Sequence, residues 1–61
     1  MKDWGKEKPN EEGLIWIYWM NEGQPMTRMA YWSKDGQVTD AHFGLVNYST
    51  IRNKIKSWEY V

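Results

Sequence analysis

The stretch Leu14-Ile15-Trp16-Ile17-Tyr18-Trp19-Met20 constrains this chain more than any other feature. It is dense in β-branched and aromatic side chains, bounded by Gly13 and by the turn-like Asn21-Glu22-Gly23, and reads as a β-strand. At a period of two it divides into Leu14, Trp16, Tyr18 and Met20 on one face and Ile15, Ile17 and Trp19 on the other. Both faces are apolar. Such a strand lies centrally with cover on two sides, or belongs to a small barrel whose second face is partly sheltered by loops.

Chain length sharpens the problem. Sixty-one residues make one domain near the lower limit at which a core holds without cross-links, and there is no cysteine for a disulfide or a zinc knuckle. Apolar burial has to come from the ten aromatic residues (five Trp, four Tyr, one Phe), so the rings are expected to form the core. A cysteine-free small domain suits a reducing cytoplasm. No apolar run approaches a membrane span, and the Met1–Asn10 start is charged rather than signal-like, so a soluble cytoplasmic protein is expected.

The remaining segments are readable around that strand. Residues 1–12 are polar, interrupted by Gly5 and Pro9, and form an exposed lead-in to a β domain over 13–61; Trp4 within it is expected to fold back as a lid on the core. A short connection through Asn21–Pro25, with Gly23 free to take a positive φ, leads to a second strand over Met26–Ser33. Asp35-Gly36 marks a further hairpin, followed by a third strand over Gln37–Phe43 that Gly44 closes. The tail predicts a short helix over Ser49–Lys54 and a final strand over Lys56–Tyr60. The fold class is mainly β with a short helix: a small antiparallel meander of three to four strands, as an open sheet or an SH3-like barrel.

Few residues invite catalysis. His42 is the lone histidine; Asp40 and His42 share a strand face, but two ligands are too few for a metal site and no nucleophile accompanies them. Glu11 and Glu12 read as solubilising carboxylates rather than an acid–base pair, and the scattered glycines match no phosphate-binding loop. No enzyme activity, metal or cofactor is expected. Eight basic residues balance eight acidic ones, with Arg52, Lys54 and Lys56 clustered late and Glu7, Glu11, Glu12 and Glu22 early. That balance argues against nucleic acid, although Arg28, Tyr31, Trp32 and Lys34 would suit a single-strand stacking platform.

The order Pro9 and Gly13, Ile15-Trp16-Ile17-Tyr18, Ala30-Tyr31-Trp32, Asp35-Gly36 and Ile55-Lys56-Ser57-Trp58 resembles a family of short phage and prophage proteins grouped as a domain of unknown function (DUF551-like). The likeness runs from Pro9 onward; the chain lacks the family's proline-containing tail and only hints at its opening tryptophan motif, through Trp4. What the resemblance implies is a small β fold in a phage or prophage setting, with no catalytic residue.

The tryptophans leave two readings open. If Trp16, Tyr18, Trp32 and Trp58 line one face, some aromatic surface stays exposed for recognition; alternatively, all of it is core. The functional expectation is a binding module that engages a protein, of the host or a second copy, through an aromatic patch or strand edge. Trp19, Tyr31, Trp32 and Trp58 are the expected patch, with Arg28 on its rim. A self-associating dimer is the second reading, and single-stranded nucleic-acid binding the third.

Overall fold

In the computed structural model, which describes residues 1–61, the apolar run becomes the middle of a nine-residue strand. The elements in chain order are β1 (Lys2–Asp3), β2 (Gly13–Asn21), β3 (Gln24–Trp32), β4 (Gln37–Asp40), β5 (Gly44–Asn47), α1 (Tyr48–Ile51) and β6 (Ser57–Tyr60). The strands form one open antiparallel sheet in the order β1-β6-β2-β3-β4-β5. The chain therefore meanders outward from β2 to β5 and returns through α1 to place β6 on the other side of β2.

Turn chemistry sets the meander. Glu22 (φ 52°) and Gly23 (φ 82°) both take left-handed conformations in the two-residue loop between β2 and β3, as the twist of a tight hairpin demands. That loop fixes the register, pairing Trp16 with Met29 and Gly13 with Trp32. At the next turn the Gly36 amide donates to the Ser33 carbonyl (3.0 Å), and Gly36 takes the positive φ. A third hairpin, absent from the sequence reading, ends the expected third strand at Asp40. The Asp40 carboxylate accepts the His42 and Phe43 amides (2.8 and 3.1 Å), and Gly44 at φ 75° turns the chain into β5.

One face of this sheet carries the core. Trp4, Ile15, Ile17, Trp19, Ala30, Trp32, Val38, Ile51, Ile55 and Trp58 form a single buried cluster. Ile15 and Ile17 come from β2, and the register places Ala30, Trp32, Val38 and Trp58 beside them. The helix is shorter than expected, since Arg52–Lys54 continue only as turns, but Ile51 and Ile55 still press onto the core.

The lead-in is a working part of the domain. Trp4 is buried, as a lid would be, and its amide donates to the Lys56 carbonyl (3.0 Å), extending the β1–β6 pairing. Its ring lies 5.0 Å from Tyr48 and meets Trp32 edge-on at 5.9 Å. The Tyr48 hydroxyl also donates to the Trp4 carbonyl. Trp4 follows β1 and Tyr48 follows β5, so this contact draws the two outer ends of the sheet together over the core. Further along, the Trp58 indole N–H donates to the Glu7 carbonyl (2.6 Å), while the Tyr60 hydroxyl accepts the Asn10 and Glu11 amides. The resulting Cα radius of gyration, 10.3 Å, matches the value of about 10.5 Å expected for a globule of this length. The ladder itself stays open, with β1 and β5 as its two edges, so side chains rather than a closed sheet seal the core.

Candidate functional site

The face of the sheet turned away from the core has no covering layer. Its strand positions include Asp3 on β1, Leu14, Trp16, Tyr18 and Met20 on β2, Pro25, Thr27, Met29 and Tyr31 on β3, Gln37 and Thr39 on β4, Leu45 and Asn47 on β5, and Ser57 and Glu59 on β6. Leu14 (48 % exposed), Met20 (41 %), Met29 (44 %), Tyr31 (40 %) and Leu45 (66 %) are open, and Trp16 and Tyr18 are half-buried by their neighbours. A contiguous apolar band thus runs along β2 and β3 in water. Polar partners, Thr27, Ser57 and Glu59, flank it across the strands. The inner face of β2 meets Ala30, Trp32 and Trp58 instead, and this difference decides which face collapses.

Beside the band, β3 has a free edge. β4 pairs only with Tyr31 and Trp32, because the Asp40 turn peels the chain away before it can follow β3 further. Tyr31 directs its backbone toward β4, so by alternation Thr27 and Met29 present theirs to solvent on the same side. Pro25, in the same series, has no N–H to leave unpaired there.

The expected patch is separated by the fold. Trp19, Trp32 and Trp58 are buried among the core residues and offer no contact surface; the face assignment that grouped Trp16 and Tyr18 with Trp32 and Trp58 is corrected by the register. Of the five expected binding residues, Tyr31 alone lies on the exposed band. Arg28 is exposed, but it pairs with Ile17 and so belongs to the opposite face. The same separation removes the stacking platform of Arg28, Tyr31, Trp32 and Lys34, which needs its rings and cations on one surface. Composition and alternation within single strands do not by themselves unite Leu14, Trp16, Met20 and Met29. Centring the hairpin on Glu22-Gly23 in the sequence would have matched them with Tyr31.

Tyr31 is anchored at the margin of the band. Its hydroxyl donates to a Glu12 carboxylate oxygen at 2.6 Å. This bond, with lesser contributions from desolvation and the nearby negative charge, raises the Tyr31 pKa above its ordinary value, because ionisation would forfeit the donor and oppose two anions.

On the core side, His42 and Phe43 pack at a tilt against Trp19, with ring centres 5.3 and 4.9 Å away, and cap the end of the core. They line a cleft of about 360 Å³ with Met20, Asn21, Asn53 and Lys54. His42 lies in the turn beyond β4 and does not share a strand face with Asp40, which is buried with one of its oxygens occupied by loop amides. No three His, Cys, Asp or Glu side chains gather as a potential metal site, and no helix is long and apolar enough to cross a membrane. The chain matches no family model, no curated protein and no solved structure.

Proposed function

We propose that this protein is a non-enzymatic binding module that engages another protein through the exposed β2–β3 face. The observation that carries the reading is the band Leu14, Trp16, Tyr18, Met20, Met29 and Tyr31, left in water by a chain that has barely enough apolar surface to build its core. Aromatic rings supply large contact area at little entropic cost, and two methionines let the surface adapt to its partner. The free β3 edge adds main-chain groups that a partner strand can pair with. In view of the resemblance described above, the setting proposed is cytoplasmic, with the protein acting as a phage or prophage accessory factor directed at a host protein.

The test is affinity capture from a bacterial lysate with the wild-type chain and with Trp16→Ala and Met29→Ala, each checked for folding by its amide spectrum. Loss of one specific captured protein in both folded variants supports the reading, and unchanged capture refutes it.

Self-association has one observation in its favour: the outer edge of β5, the last strand of the sheet, carries the exposed Leu45. Sedimentation across micromolar concentrations separates the two readings. A dimer lost in Leu45→Lys would favour edge pairing, and a strict monomer would exclude it.

A further inference from the structure

The formal charges of the chain cancel, but the fold sorts them. Only two of the eight Lys and Arg residues lie in strands, Lys2 and Arg28, and both pair with core-facing residues, Trp58 and Ile17. Lys2 extends over the Trp58 ring (5.2 Å) and meets Glu7 at 3.4 Å, which keeps it on the core side. Arg52 reaches back to the Gly5 carbonyl (2.7 Å), Lys8 lies over Tyr48, and Lys54 lines the cleft beside Trp19. No basic residue occupies an outer-face strand position.

The charged side chains that the register or a side-chain hydrogen bond places on this face are negative. Glu59 lies directly across from Trp16, Glu12 holds the Tyr31 hydroxyl, and Asp3 pairs with Ser57. All three are exposed. An apolar strip with an acidic rim attracts a complementary surface and repels its opposite, so the rim selects among partners that the strip alone would accept.

We infer that the occupant of this face is a basic amphipathic segment of a partner protein, whose apolar side chains cover Leu14, Trp16, Met29 and Tyr31 while its Lys or Arg residues meet Glu12 and Glu59. This rests on the protein-binding reading and adds the chemistry of the partner. A second copy of the chain is disfavoured on this surface, because face-to-face pairing would bring two acidic rims together.

Two synthetic peptides with one apolar pattern, carrying either lysine or glutamate at every polar position, test the inference by amide NMR titration of the whole chain. The lysine peptide should shift the amides of Leu14, Trp16, Met29, Tyr31 and Glu59, and bind about tenfold or more tightly than the glutamate peptide. Its affinity should fall several-fold as salt rises from about 0.05 to 0.5 M. In a chain carrying Glu12→Lys and Glu59→Lys together, the preference should reverse. Equal affinities, binding indifferent to salt, a footprint around Trp19 and His42, or no binding by either peptide would each overturn it. If both peptides bind the outer face equally, the partner's charge is wrong while the face still binds protein. If neither binds and capture ignores Trp16 and Met29, both readings fall.

Discussion

Replacing Trp4 and Trp58 by phenylalanine, one at a time, should produce unequal losses of stability even though both indoles are fully buried. Each substitution removes a similar apolar volume and leaves a similar void, a shared cost of about 1.5–2 kcal/mol. The polar atoms make the difference. Trp58 donates its indole N–H to the Glu7 carbonyl at 2.6 Å, and losing that bond adds about 1 kcal/mol. The Trp4 indole N–H is buried without an acceptor in the chain, so deleting it relieves a desolvation penalty of about 1–3 kcal/mol. Trp4→Phe is therefore expected to be nearly neutral, and Trp58→Phe to cost about 2.5–3 kcal/mol. A chain of this length has a total stability of roughly 3–9 kcal/mol, so the second variant should lose more than a quarter of it. Urea unfolding followed by far-ultraviolet circular dichroism measures both without relying on the altered fluorophores. Curves that overlay within about 0.5 kcal/mol, or a Trp4 variant less stable than the Trp58 variant, would refute the reasoning.

Three other perturbations probe the turns and the rim. Glu22 occupies a left-handed position better suited to asparagine, so Glu22→Asn should stabilise the fold by about 0.5–1 kcal/mol and raise Tm by a few degrees; an unchanged midpoint in thermal unfolding would count against strain at this turn. Asp40→Ala strands the His42 and Phe43 amides and should cost about 2 kcal/mol in urea unfolding, with Asp40→Asn recovering part of that because its amide oxygen still accepts; equal losses in the two would show that acceptance is not what holds the loop. Tyr31 has its pKa raised in the folded chain, so the bond to Glu12 contributes below the unfolded tyrosine pKa of about 10 and is lost as pH rises through the higher folded value. Tyr31 should accordingly titrate above the ordinary tyrosine range by absorbance near 295 nm, and Glu12→Ala, which removes the acceptor, should bring it down; an identical titration in that variant would exclude Glu12 as the cause.

Much of the scaffold was legible because it is local. Ile15, Ile17, Trp16 and Tyr18 mark a strand by side-chain shape, Gly23 and Gly36 mark turns by backbone freedom, and Trp4 stands out as the apolar residue in a polar lead-in. Less was legible in the stretch from Asp40 to Gly44, where a side chain capping its own loop interrupts what alternation reads as one continuous strand. Likewise the two-residue strand Lys2–Asp3 has no pattern of its own. It exists because Lys56 and Trp58 arrive beside it from the other end of the chain.

The binding surface divides along the same line. Alternation within β2 determined that Trp16 and Tyr18 share one face and Ile17 and Trp19 the other, since side chains along a strand point to opposite sides whatever surrounds them. Which of those faces meets water was decided only when β6 and β3 came into register, placing Trp58 and Ala30 against one and Glu59 and Thr27 against the other. Both faces of the strand are apolar, so its own hydrophobicity could not choose between them. The choice belongs to cross-strand partners, and one of these lies some forty residues away in the chain.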